Sequence, residues 1–149
     1  MDYVITGGAG FIGSNIAKQL VNTGHNVTIL DNLSNGKKEN LSAIMEKIKF
    51  VNGDIRDFNL LEKLLKNTDG VFHQAALASV QESFSKKEEY NDVNVGGTEN
   101  ILKLAKEFNF KVVYASSSSI YGNPEKIPIK ENDQKNPINP YAVTKLDDE

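Results

Sequence analysis

The 149-residue chain contains no cysteine. That excludes disulfides, zinc–thiolate centres and thiol nucleophiles. Arginine is nearly absent: Arg56 is the only one among 17 basic residues, and the lysines are scattered without a basic run. Phosphate recognition therefore cannot rest on an arginine cluster and falls to backbone amides. A net charge of −3 and a pI near 5.5 argue against a nucleic-acid partner. No apolar run approaches the ~20 residues of a membrane span. The opening MDYVITGG reads as a strand, since it lacks the basic start and long apolar stretch of a secretory leader. No membrane partner and a cytoplasmic location are the expectation.

What remains is 39% hydrophobic and 25% charged, the composition of one globular domain. Five short runs rich in β-branched or aromatic residues read as buried strands: Tyr3–Thr6, Val27–Leu30, Ile48–Val51, Gly70–His73 and Val112–Ala115. Helical periods lie between them. Ile12, Ile16, Leu20 and Val21 form one apolar face; Leu60, Leu61, Leu64 and Leu65 form another, with Asp57 as N-cap; Val95, Thr98, Leu102, Ala105 and Phe108 form a third. A weaker helix is expected around Leu41, Ile44 and Met45. This alternation predicts a doubly wound α/β domain with a parallel sheet, strand order 3-2-1-4-5. The four prolines all fall in Gly122–Pro140, which reads as a surface excursion before a last helix.

TGGAGFIGS joins the first strand to the first helix and fits G-x-G-x-x-G through Gly8, Gly10 and Gly13, or a longer form through Gly7, Gly10 and Gly13. An early glycine permits the sharp turn, Gly10 lets a pyrophosphate approach the backbone, and Gly13 lets helix and strand pack closely. Free amides and the positive end of the helix dipole would hold the anion. Asp31 ends the second strand, where a carboxylate accepts both ribose hydroxyls of an adenosine and repels a 2′-phosphate. NAD is thus favoured over NADP, although Lys37 and Lys38 stand nearby. GDIRD offers Asp54 to an adenine amino group and Ile55 to its ring, and is equally an ordinary helix-start signal. HQAA places His73, Gln74, Ala75 and Ala76 at the ligand end of the sheet. His73 reads as a hydrogen-bonded strand-end residue rather than a base, and His25 as a turn residue. No metal site is expected.

YASSSSIYG puts four serines after the fifth strand, and Tyr141 and Lys145 stand four apart on the final helix. An ammonium one turn from a phenol favours the phenolate, a general base for an alcohol. Either feature alone is common; the order of glycine turn, Asp31, serines and Tyr-x-x-x-Lys is specific.

From YVITGGAGFIGSNI through ILDNLSNG, GDIRD, VFHQAALASV, NDVNVGGTENIL and YASSSSIYG to NPYAVTKL, the chain resembles the extended short-chain dehydrogenases/reductases, and among them the nucleotide-sugar epimerases of the UDP-glucose and UDP-N-acetylglucosamine 4-epimerase type. The resemblance implies that Gly7, Gly10, Phe11, Ile12 and Gly13 form the pyrophosphate turn. It assigns Asp31, Asn32, Ser34 and Gly36 to the adenosine ribose and nearby phosphate, and Asp54 and Ile55 to adenine. Gln74, Ala75, Ala76 and Asn94 fall to the nicotinamide half. Ser117 becomes the catalytic hydroxyl, with Ser116 or Ser118 its replacement if the register slips by one. Tyr141 becomes the base, and Lys145 its tuning partner and a ribose ligand. The implied reaction is epimerisation of a UDP-sugar at C4 through a transient 4-keto sugar, in a homodimeric parent. Dehydratases of the class carry Asp-Glu where Ser118 and Ser119 stand, and serines cannot supply the acid and base of an elimination. Family members are about twice as long, so residues 1–149 are expected to be the NAD-binding domain without the C-terminal substrate domain, and inactive alone. A binding module without turnover, or a nucleotide-sugar oxidoreductase or dehydratase, are the alternatives. Asp147 and Asp148 depart from the family pattern.

Overall fold

The computed structural model describes all residues 1–149. Five strands form one parallel sheet: β1 (Asp2–Thr6), β2 (Asn26–Asp31), β3 (Ile48–Asn52), β4 (Gly70–His73) and β5 (Lys111–Tyr114). Their order is β3-β2-β1-β4-β5. The sheet reverses direction of growth between β1 and β4, which opens a crevice beyond the strand ends at that point. Register decides what gathers there. Thr6 pairs with Leu30 and with His73, Leu30 with Val51, and His73 with Tyr114. All five strands therefore deliver their following loops to one edge.

The strands are apolar on both faces because both are covered. Val4, Leu30 and Val71 pack with Leu61 and Leu65 of α2 (Phe58–Leu65) and with Ile101 and Leu104 of α5 (Gly97–Phe108). Ile5, Val27 and Ile29 pack on the other face with Ala17 of α1 (Phe11–Asn22) and with Leu41 and Ile44. Asp57 caps α2 as expected, its side chain accepting from Leu60 N at 3.0 Å.

The structure refines three helical readings. The segment around Leu41 is a 3₁₀ helix, Lys38–Lys47, and its buried residues, Leu41 and Ile44, are spaced by the three residues of a 3₁₀ turn. On α1, Ile16, Leu20 and Val21 pack against the core as expected, but Ile12 is 59% exposed and the fully buried positions are Gly13, Ser14 and Ala17. Small residues lie inward because this helix starts against the glycine turn itself. On α5, Ile101 and Leu104 are fully buried and Leu102 is exposed. A π-helical turn, Asn91–Gly96, precedes α5. Thr98 is buried and Ala105 and Phe108 pack against the core, so the expected stripe holds along α5 except at Leu102, with Ile101 and Leu104 added to it. Two short helices, α3 (Val80–Ser85) and α4 (Lys87–Tyr90), were not anticipated. The last helix, α6 (Pro140–Asp147), begins with Asn139 accepting from Ala142 N at 2.8 Å.

Candidate functional site

A cleft of about 320 Å³ lies along the loop edge of the sheet. Gly7, Gly10 and Phe11 supply its floor beside β1. Gly7 has φ +66°, and a Cβ there would stand 2.6 Å from Ala75 N, so only glycine fits. A Cβ on Gly13 would stand 2.5 Å from Gly7 O, which is why the helix can start so near the turn. The N-cap Gly10 makes no side-chain cap bond and no acidic residue occupies the first turn of α1. The first amides of a three-turn helix thus face the cleft without a competing carboxylate. Phe11 lies 83% exposed at the rim; Ile12 and Gly13 do not line the cleft.

Asp31, Asn32, Ser34 and Gly36 form the next wall. Asp31 is buried, with Oδ2 accepting from Ala9 N at 2.9 Å and Oδ1 from Leu33 N at 2.8 Å. A Cβ on Gly36 would meet both oxygens of Asp31 within 2.9 Å. The absence of that side chain keeps the carboxylate open to the cleft. Asn32 Oδ1 accepts from Ser34 N at 3.0 Å, an Asx turn that shapes the loop. Asp54 and Ile55 follow from the β3 loop. Arg56 forks onto Asp54, and this guanidinium holds the Asp54 carboxyl down at about 2. Gln74, Ala75 and Ala76 complete the wall after β4.

His73 stands just beneath, fully buried between Thr6 Oγ1 at 2.6 Å and Thr98 Oγ1 at 3.0 Å. Burial, aided by the Lys145 charge, pushes it down to about 3, so it is neutral. It is the hydrogen-bonded strand-end residue the sequence indicates. Asn94 is buried too. Its Oδ1 accepts from Leu77 N at 2.8 Å, and its Nδ2 donates to Leu77 O and to Thr144 Oγ1 at 3.1 and 3.0 Å. It ties the loop after β4 to the π turn and α6 and does not line the cleft.

Ser117, Tyr141 and Lys145 lie outside that cleft, on the β5 side. Ser117 precedes a 3₁₀ turn, Ser118–Tyr121, and its Oγ pairs with Ser119 Oγ at 2.8 Å. Lys145 is 5% exposed; its Nζ donates to Ala115 O at 3.0 Å and stands 4.6 Å above the Tyr114 ring. Burial pulls its ammonium below the ordinary lysine value, against the opposing charge of Asp148. Tyr114 donates to Asp148 Oδ2 at 2.7 Å; burial first, and then Asp148, raises that phenol. Ser116 donates to Glu149 at 2.6 Å.

Arg56, Glu89 and Val93 also line the cleft and were not among the anticipated residues. Arg56 carried a signal, being the chain's only arginine and directly following GDI. Glu89 and Val93 arrive by α4 and the π turn, which leave no mark in the hydrophobic pattern.

A reversing parallel sheet, a glycine-cradled helix start and an acidic residue ending β2 together define a Rossmann-type fold. The family model described as GDP-mannose 4,6 dehydratase matches residues 4–149, and the chain belongs to that family. The UDP-glucose 4-epimerase of Lactobacillus helveticus is 42% identical over 149 residues, 98% of this chain and 44% of that protein. Among solved structures, the UDP-N-acetylglucosamine 4-epimerase of Methanobrevibacter ruminantium M1, in complex with UDP-N-acetylmuramic acid, is 42% identical. It superposes with a TM-score of 0.93 over 99% of this chain and 47% of that one. The UDP-glucose 4-epimerase of Bifidobacterium longum, in complex with NAD⁺ and UDP, is 36% identical with a TM-score of 0.92, over 99% and 47%. The chain spans less than half the length of the curated relatives it matches. No helix is long and apolar enough to cross a membrane.

Proposed function

We propose that residues 1–149 form the NAD-binding domain of a UDP-sugar 4-epimerase. The observation that carries the cofactor is the pairing of Asp31 with Gly36 beside the uncapped start of α1. The residues fit the group. A pyrophosphate would sit on the amides after Gly10, and the adenosine ribose on Asp31, whose charge disfavours a 2′-phosphate. Ala75 and Ala76 leave room for a flat ring against backbone. Bound NAD would supply a reversible hydride acceptor.

Tyr141 takes the proton from the sugar 4-hydroxyl and later returns it. Ser117 turns its hydroxyl from Ser119 to that oxygen and holds it in place. Lys145 gives a fixed positive charge one turn from Tyr141, anchored by the Ala115 carbonyl. Returning hydrogen to the opposite face of C4 requires only that the sugar turn over, so no further acid or base is needed. That is what Ser118 and Ser119 allow. They supply neither the acid nor the base of a dehydration, which separates this reading from the reaction in the family's description. Relatives and solved neighbours named as UDP-sugar 4-epimerases support it. Self-association is part of the proposal, supported by exposed Leu102 on α5 and Val143 on α6.

The test is a coupled assay of the whole protein with UDP-glucose, UDP-galactose and their N-acetylated forms. Interconversion without accumulating NADH is the expected result, abolished by Tyr141→Phe. Formation of a 4-keto-6-deoxy product, or net NADH, would replace epimerisation with dehydration or oxidation.

A further inference from the structure

Arg56 has no role in the reading above, yet it is the hub of the cleft's polar wall. Asp54 receives four donors. Arg56 N and Nε reach Oδ1, both at 2.9 Å; Arg56 Nη2 and Asn32 Nδ2 reach Oδ2 at 2.8 and 3.1 Å. A carboxylate offers about four acceptor positions, so all are in use. The remaining arm of the guanidinium, Nη1, meets Asp92 Oδ2 on the π turn at 2.9 Å. Asn32 in turn holds Ser34 N. Three loops are thereby joined: Asp54 ties the one after β2 to the one after β3, and Arg56 ties the latter to the π turn before α5.

These ion pairs do not hold the fold together. Arg56 is 44% exposed, Asp54 26% and Asp92 65%, and pairs this open to water add little stability. What a forked guanidinium fixes is geometry: it sets the carboxylate plane, which a lysine's point charge does not.

We propose that Arg56 is a positioning residue for base recognition: it holds Asp54 so that the carboxylate reads the 6-amino group of a bound adenine. The inference rests on the dinucleotide reading of the cleft. Arg56 fills both positions on Oδ1 and one on Oδ2. The position left for an incoming amino group is the one Asn32 Nδ2 occupies, the longest of the four bonds. Adenine is therefore read at Oδ2, in exchange for Asn32. A base with a carbonyl at that place meets an acceptor instead of a donor and is refused.

The experiment is calorimetric titration of the 149-residue chain with NAD and with nicotinamide hypoxanthine dinucleotide, which carries an oxo group in place of the 6-amino group and a proton on the neighbouring N1. The wild type is expected to prefer NAD by roughly tenfold, the worth of one charge-assisted hydrogen bond. Arg56→Gln should bring the two affinities within about twofold, with Arg56→Lys between and Asp92→Asn closest to wild type. Thermal melting should stay near that of the wild type in all three, since the pairs are exposed. If the wild type binds no NAD, the dinucleotide reading falls and takes this inference with it. If it binds both dinucleotides equally, or if Arg56→Gln or Arg56→Lys keeps the full preference, the inference alone is overturned. Should Arg56→Gln fail to fold, the lysine and Asp92 variants decide.

Discussion

At the glycine-turn end of the cleft, Asp54 receives four donors from its own and an adjacent loop, and Asp31 accepts one backbone amide on each oxygen while staying open to the cleft. At the β5–α6 end, Ser117 and Lys145 are held by Ser119 and the Ala115 carbonyl rather than by each other. The first end is assembled largely from backbone amides and short-range turns, which fold with the strands that carry them. The second draws on three elements and keeps an ammonium at 5% exposure beside an aromatic ring. Binding a nucleotide needs a preset surface, and burial with satisfied hydrogen bonds provides it. Moving a proton needs groups that can change partners, and desolvating them costs stability.

Altering the glycine turn should break the first end most completely. Gly13→Val places side-chain atoms against Gly7 O and is expected to cost ~3 kcal/mol in urea unfolding, with NAD affinity lost beyond detection. Next is the buried histidine that supports both ends. His73→Asn should cost ~2 kcal/mol at pH 7, because Thr6 or Thr98 loses its partner. The same variant carries a pH signature. His73 titrates near 6.5 when unfolded and is pushed down to about 3 in the fold. Between those values the unfolded chain binds the extra proton. Its contribution is therefore complete above pH 6.5 and is lost as pH falls toward 3, at up to ~1.4 kcal/mol per unit. Unfolding free energies from pH 7.5 to 4.5 should fall less steeply in His73→Asn than in the wild type.

Smaller effects sharpen the contrast. Asp31→Asn keeps one acceptor oxygen where two are used. It should lower NAD affinity by about tenfold and narrow the margin over NADP, read by titration. Lys145→Met should leave the melting temperature unchanged or slightly raised, since it trades a buried charge for an apolar side chain of similar length. The same substitution should abolish turnover in the whole protein. A large loss of stability there would mean that Lys145 belongs to the fold and not to the chemistry.

The sequence makes the glycine-turn end legible because its signals are local. Glycines, Asp31 and Asp57 act over a few residues, and five doubly covered strands show as uninterrupted apolar runs. What escapes is whatever depends on three-dimensional reach. The π turn at Asn91–Gly96 leaves no mark in the apolar pattern, whereas the inward face of α5 does, at Thr98, Ala105 and Phe108. Asn94, expected at the nicotinamide half, bonds Leu77 and Thr144 across 17 and 50 residues, contacts that no local pattern signals. Arg56 and Asp92 are 36 residues apart, with α2, β4, α3 and α4 between them, and meet only in the folded chain. At the far end, the Tyr114–Asp148 bond spans 34 residues and fastens the last turn of α6 to the sheet, where the family pattern gave no reason to expect an acid.

The most direct test is equilibrium titration of the 149-residue chain with NAD and NADP in parallel. One NAD per chain, with NADP at least about tenfold weaker because of the Asp31 charge, is the predicted result. Equal affinity for the two, or no binding of either, would contradict the account.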